Sequence, residues 1–243
     1  MHMRRRRAHN HIYLSTRHVA ATVGILLAPF IFLLIFARVA HIASGTLIAD
    51  LLTSSWRLAI AYIISAALAW VCAVLFYRGT RSVIMLPLFD VLQSFPTFAA
   101  LPLAVLWWGA TDFTVIMILV MTIVWPIFFS IVSALKLAKE EWQEAMDIYQ
   151  CRGFEYVRKY LWPVSIPGLI TGSIVGLGEG WEALIATEIL VKSHNGLGNF
   201  FQQFSTNPSV TAFGILGLLV FIFSINKVLW FPLLNWSHRT MGD

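Results

Sequence analysis

The sequence predicts an all-helical membrane protein of six spans, on three observations. Of 243 residues, 58% are hydrophobic and 12% charged, with a mean hydropathy of +0.76, which leaves too little polar surface to coat a soluble globule. Six windows each reach the roughly 20 apolar residues a helix needs to cross hydrocarbon: about 19 to 41, 56 to 77, 83 to 108, 113 to 135, 163 to 190 and 211 to 234. Lys and Arg also gather on one side of these windows. With the amino terminus in the cytoplasm, Arg4 to Arg7, Arg17, Arg78, Arg81, Lys136, Lys139, Arg152, Arg158, Lys159 and Arg239 lie inside and only Arg38, Arg57 and Lys192 outside, with Lys227 inside the last span. That is the positive-inside pattern, with both termini cytoplasmic. The net charge of +5 therefore reports topology and not a nucleic-acid partner.

Residues 1–18 are expected to be a basic cytoplasmic tail, 19–236 one six-span domain, and 237–243 a second tail. Arg4 to Arg7 ahead of an apolar run raises the question of a signal peptide. The run continues to about Ala43 without a small-residue cleavage site, so it is expected to be a retained span. His9 and His11 fit a solvated basic tail near anionic lipid better than a metal site. Cys72 and Cys151 provide neither a disulfide framework nor a zinc set.

Span two opens on Ser55-Trp56-Arg57. Span three holds Pro87, Asp90, Gln93, Ser94, Pro96 and Pro102, so its helix should be kinked or discontinuous, which is tolerable only where protein or water satisfies the freed backbone groups. Gln93 and Ser94 are candidates for solute contact, and Asp90 for a local cap or ion pair. Gly109-Ala110-Thr111-Asp112 is a very tight turn into span four.

A charged, amphipathic island follows, about 138 to 161. Trp142, Ala145, Met146 and Tyr149 recur at helical spacing, Glu140, Glu141 and Glu144 fall early, and Arg152 falls just past the end, as a helix dipole favours. Gly153 should break this helix, Phe154 to Leu161 should form a second, and Pro163 should separate that from span five. A helix, a bend and a helix make a cytoplasmic knob suited to docking. The alternative, a helix lying on headgroups, is opposed by the early glutamates, which anionic lipid repels.

Span five carries Gly168, Gly172 and Gly176 at four-residue spacing, a pattern that lets helices approach closely. Its outer half holds Glu179, Trp181, Glu182 and Glu188, and a carboxylate facing hydrocarbon costs several kcal/mol unless it finds a partner, water or a proton. At about 100° per residue Glu188 falls nearly opposite Glu179. Glu179, Trp181 and Glu182 are thus expected near a pathway or subunit interface, and Glu188 at an interface or in an ion pair. Arg57 is the candidate counter-charge for Glu182 or Glu188. A polar, glycine-rich outer loop runs from Lys192 to Pro208. Asn226 and Lys227 in span six are expected to be structural, since lysine can snorkel.

Glu144-Ala145-Met146 and Pro163, at their spacing, resemble the cytoplasmic EAA loop of the integral-membrane subunits of type I ATP-binding-cassette importers. The likeness extends over roughly residues 50 to 235 through Ser55-Trp56-Arg57, Phe95-Pro96, Leu101-Pro102, Gly153, Pro163 to Gly172, and Gly178 to Glu188, and it points to the nitrate, sulfonate and taurine branch. Two departures stand out: Gln150 sits where the family has Gly, which puts the tightness of that turn in question, and Trp162 replaces Leu before the proline.

The resemblance implies a six-helix type I importer (MetI-like) fold with a coupling helix between helices four and five. Glu144, Ala145, Met146, Gln150 and Gly153 would dock an ATPase subunit. It further implies a second permease subunit, expected to be a copy of this chain, two ATPase subunits and an extracytoplasmic solute-binding protein, in a bacterial inner membrane. ATP and Mg would be bound by the ATPase partners and no cofactor by this chain, whose sequence contains no G-x-x-x-x-G-K-[ST] phosphate loop. The solute expected for the branch is a small oxyanion, sulfonate or related small organic molecule. An ATP-independent channel or proton-coupled carrier, and a non-transporting membrane scaffold, are the alternative classes.

Overall fold

The computed structural model describes residues 16–39 and 44–242; the basic stretch with Arg4 to Arg7, His9 and His11 lies outside the described residues. The described chain is helical throughout: α1 (Thr16–Val39), α2 (Ser44–Phe76), α3 (Gly79–Gln93), α4 (Leu101–Trp108), α5 (Asp112–Lys136), α6 (Glu140–Ile148), α7 (Phe154–Tyr156), α8 (Trp162–Val191), α9 (Leu197–Gln203), α10 (Pro208–Ile225) and α11 (Phe231–Gly242). Single π turns, Val157–Leu161 and Asn226–Trp230, join α7 to α8 and α10 to α11.

Four stretches are long and apolar enough to cross a membrane: Gly45–Phe76, Asp112–Lys136, Phe154–Val191 and Pro208–Ser237. α1 adds a shorter apolar stretch, Val23–Arg38, and the window expected to be span three is the broken pair α3 and α4.

At the centre α8 lies along α5, and α2 packs across both. Ile118, Leu119, Ile123, Ile127 and Ile131 of α5 and Leu184 of α8 are fully buried there. The glycine series sets the separation. A methyl group at Gly172 would come within 2.6 Å of the Ile127 Cα, one at Gly168 would strike the Ser130 carbonyl, and one at Gly180 would lie 2.9 Å from side chains of both Ile123 and Leu58. Backbones this close gain dispersion contact where lipid supplies no hydrophobic drive. Two polar pairs cross this core: the Tyr62 and Ser173 hydroxyls lie 2.9 Å apart, and Trp70 Nε1 donates to Ser165 Oγ at 2.9 Å.

Three expectations are corrected. Pro163 does not separate the second island helix from span five, because the chain is helical without a break from Phe154 to Val191. The π turn immediately before it widens the backbone where proline would clash with a carbonyl one turn back. α2 begins at Ser44, not near residue 56. Its early polar residues looked like loop but are satisfied: Thr53 donates to the Ala49 carbonyl at 2.9 Å, and Asp50 and Ser54 bond the outer loop. That loop is not irregular throughout, because it contains α9, whose Leu197, Phe200 and Phe201 are buried. The discontinuity expected in span three is present: α3 ends at Gln93 and α4 starts at Leu101, with Pro96 in the gap and Pro102 in the first turn of α4, where its missing N–H costs nothing.

Candidate functional site

The island after α5 is built outward from a half-buried stripe. Trp142 and Met146, one turn apart on α6, pack against the core, and no α6 residue is fully buried. Two bonds seat the island on the corner between α2 and α3. The Gln143 side-chain oxygen, turned to satisfy both groups, accepts from the Arg78 guanidinium, and the Tyr77 and Tyr156 hydroxyls lie 3.4 Å apart. Glu144 faces solvent, and Ala145 is half-buried. Leu137, Ile148, Tyr149 and Phe154 are nearly fully exposed, at 77% or more. Large apolar side chains on a segment this polar mark a contact surface.

The end of α6 explains the glycine departure. Cys151 N–H bonds the Met146 carbonyl at 2.9 Å and Gln150 N–H bonds the Asp147 carbonyl at 3.1 Å, the paired bonds of a Schellman termination, whose next-to-last residue must be left-handed. Gln150 takes that conformation, with φ +52°. The turn therefore keeps its tightness with a residue that pays a steric penalty glycine avoids. Gly153 follows at φ +60°, ψ −130°, a region open in practice only to glycine, and it redirects the chain into α7.

A second feature is a hollow of about 760 Å³ between the α3–α4 break and the faces of α5 and α8. Gln93, Ser94 and Glu179 line it together with Thr122, Trp125 and Phe129. Asp90 is their local partner: Gln93 donates to its carboxylate at 2.5 Å, and Ser94 to its backbone carbonyl at 3.2 Å. Trp181, expected with Glu179 and Glu182 near a pathway or subunit interface, does not line the hollow. It points away, buried edge-on against Phe221 at 5.7 Å, since two residues along a helix turn a side chain through about 200°. Glu182 is exposed and does not line the hollow. Lys227 lies 5.0 Å over the Phe231 ring.

At the other end of α8, Glu188 is fully buried in a polar cage. Arg57 Nη1 donates to it at 2.5 Å, Ser54 at 2.9 Å and Gly198 N–H at 2.9 Å. Arg57 also reaches Asp112 at 2.6 Å and the Asn195 carbonyl at 2.8 Å. Of the two carboxylates considered for Arg57, Glu188 is the one in contact. Asp50 accepts from Gly196 N–H at 2.8 Å, and Ser54 from Leu197 N–H at 2.8 Å. Asp50, Ser54, Asp112 and the loop glycines were not among the sequence candidates. A methyl at Gly198 would collide with Glu188, and Gly196 sits at φ +121°, so the two glycines of the outer loop signalled a close approach without naming its partner.

A helical membrane bundle with an amphipathic knob between two of its membrane-length helices and a hollow along its central helix pair has the build of a membrane permease subunit. The chain belongs to the family described as binding-protein-dependent transport system inner membrane component, which matches residues 64–231. It is 26% identical over 232 residues to the putative aliphatic sulfonates transport permease protein of Bacillus subtilis, covering 92% of this chain and 82% of that one. It is 28% identical over 182 residues to a putative ABC transporter permease protein of Methanocaldococcus jannaschii, covering 74% and 65%. With the nitrate import permease protein of a Synechocystis strain it shares 27% over 143 residues, covering 55% and 51%. The matches thus span less than two thirds of the archaeal and cyanobacterial relatives. The chain is a type I ABC importer permease of the branch that includes sulfonate, nitrate and taurine permeases.

Proposed function

We propose that this chain forms half of the solute path of an ATP-driven importer and carries the motion of a separate ATPase to that path through the island. The observation that carries the reading is the island itself: exposed Leu137, Ile148, Tyr149 and Phe154 around a left-handed turn, seated on the bundle through Trp142, Met146 and the Arg78–Gln143 contact. Glu144, Ala145, Met146, Gln150 and Gly153 form the docking set. ATP and Mg belong to the ATPase partners, and an external solute-binding protein delivers solute to the outer loop. Both termini and the island are cytoplasmic.

The hollow face supports pairing with a second copy. Glu179 and Glu182 are exposed partway along a membrane-length helix, where contact with hydrocarbon would cost several kcal/mol. A second copy turned toward this face would exclude lipid and leave a watered path between Gln93, Ser94 and Glu179 and their counterparts. The solute is a small oxyanion, sulfonate or related small organic molecule. Glu179 favours members that also carry a cationic group, because an ionised carboxylate repels a simple anion.

The test is uptake into proteoliposomes holding the assembly of permease, ATPase and binding protein. ATP-dependent accumulation of a sulfonate, lost on Glu144→Arg while the permease stays folded, is expected. Accumulation that persists without ATP would replace this reading with a channel or carrier.

A further inference from the structure

The hollow of about 760 Å³ carries charge of one sign only. Glu179 lines it, Asp90 is hydrogen-bonded to the lining Gln93, and no Lys, Arg or His is among its lining residues. Most of its side-chain donors are spent inside the chain. Gln93 gives one N–H to the Asp90 carboxylate at 2.5 Å, and Ser94 gives its O–H to the Asp90 carbonyl at 3.2 Å. Thr97 and Thr122 give theirs to the Phe95 and Ile118 carbonyls at 3.3 and 3.1 Å. Each of these hydroxyl oxygens keeps lone pairs that can accept. Trp125, Ser130 and the second Gln93 N–H are the side-chain donors left over, and all are neutral. The backbone of the α3–α4 break is even-handed: the Gln93 and Ser94 carbonyls and the Thr97 and Phe98 N–H groups all lack a backbone partner. Charge therefore decides what the lining favours.

Aromatic rings supply the rest of the wall. Trp125 and Phe129 of α5 and Phe95 and Phe98 of the break line the same hollow, and Trp125 is braced against Phe89 at 6.1 Å. The face of such a ring attracts a cation. A hollow of this size holds a small organic molecule, and the second copy proposed above would bring another Glu179 to the same path. A solute whose only charge is negative would meet carboxylates there with no cation to offset them.

We propose that the hollow is a subsite for an organic cation: Glu179 holds the protonated amine or ring nitrogen of a small solute, the Trp125 ring lies against that group, and solutes whose only charge is negative are excluded. The inference rests on the importer reading above and narrows its solute to a molecule that carries a cationic nitrogen. A simple nitrate or aliphatic sulfonate, the solutes named for two of the relatives, does not suit this lining.

The experiment uses the full chain with its co-purifying ATPase in phosphatidylcholine nanodiscs, with empty nanodiscs subtracted and no binding protein or ATP present. Three probes share one ring and differ in charge: benzylammonium, benzyl alcohol and phenylmethanesulfonate. Their binding is measured by equilibrium dialysis to the unaltered chain, Glu179→Gln, Glu179→Asp and Trp125→Leu. Benzylammonium is expected to bind at least about tenfold more tightly than benzyl alcohol, the worth of one hydrogen bond to a charged group, and phenylmethanesulfonate more weakly than either. Glu179→Gln should abolish the gap between benzylammonium and benzyl alcohol, Glu179→Asp should keep it, and Trp125→Leu should weaken benzylammonium about threefold. No measurable benzylammonium binding, phenylmethanesulfonate binding as tightly as benzylammonium, or a gap that survives Glu179→Gln would overturn the inference. ATP-driven accumulation of phenylmethanesulfonate in proteoliposomes of the whole assembly, lost on Glu144→Arg but untouched by Glu179→Gln, would overturn it and leave the importer reading intact. Accumulation that persists without ATP would overturn that reading, while the binding order, measured without ATP, would still decide the subsite.

Discussion

The two ends of α8 are built on opposite plans. At the outer end the charged groups are paired: buried Glu188 is met by Arg57, Ser54 and the Gly198 N–H, and the outer loop closes over it. At the inner end the chain passes through a π turn into a knob with no buried α6 residue and a row of bare apolar side chains. One end holds its charges inside the single chain, whereas the other leaves large apolar side chains exposed. Buried polar networks mark where this chain holds itself together, and apolar side chains exposed on a polar segment mark where the proposed partner would sit.

The largest way to test that contrast is to remove one half of the buried pair. Glu188→Ala should cost about 3–5 kcal/mol, because it removes the buried acceptor shared by Ser54, the Gly198 N–H and Arg57, which keeps only Asp112 as a carboxylate partner, and should be read as loss of detergent-stable monodisperse protein. A reciprocal Arg57→Glu, Glu188→Arg exchange should recover only part of this, since Asp112 then faces a carboxylate. By contrast Glu144→Arg on the exposed knob should leave thermal unfolding unchanged. Equal destabilisation by both would erase the distinction between the ends.

Packing along the middle of α8 gives the next effect. Gly172→Ala forces a methyl into the α5 backbone and should destabilise by about 1–3 kcal/mol, whereas Gly178→Ala, which meets nothing within 4 Å, should be silent or slightly stabilising in the same unfolding assay. At the knob, Gly153→Ala should cost about 1–3 kcal/mol of local strain at φ +60°, detectable as faster proteolysis confined to the 149–154 turn. Smallest in stability is Glu179→Gln, expected within about 0.5 kcal/mol of the unaltered chain, yet it should change solute preference in proteoliposome uptake because the side chain lines the hollow. A Glu179→Gln chain with unaltered transport of cationic, zwitterionic and anionic solutes would remove Glu179 from the path.

Much of this was legible in the residues. Four of the six apolar windows coincide with membrane-length helices, the prolines of span three gave its break, and the four-residue glycine spacing gave the close α5–α8 contact. Glu188 and Glu179 were placed on opposite sides of α8 by the helical angle alone. What stayed hidden depends on backbone groups and on distant partners. The Gly196, Leu197 and Gly198 N–H donors carry no side-chain signal, so the cage around Asp50, Ser54 and Glu188 could not be drawn. α9 was masked by the polar residues before it, although Leu197, Phe200, Phe201 and Phe204 have helical spacing. Pro163 misled because a π turn, invisible in composition, absorbed it. Trp181 was grouped with Glu179 near a pathway or subunit interface, although an angle of about 200° turns it to another side of α8.

The central claim is that the α6–α7 knob touches a separate ATPase on the cytoplasmic side. It is tested most directly by a single thiol at Ile148→Cys, in a chain with Cys72 and Cys151 replaced, cross-linked in native membranes and compared with Gln202→Cys on the outer helix. The account predicts that position 148 cross-links to a phosphate-loop ATPase and resists a membrane-impermeant thiol reagent added to intact cells, while position 202 is labelled by it. Labelling of position 148 from outside, or cross-links from it to lipid alone, would contradict the account.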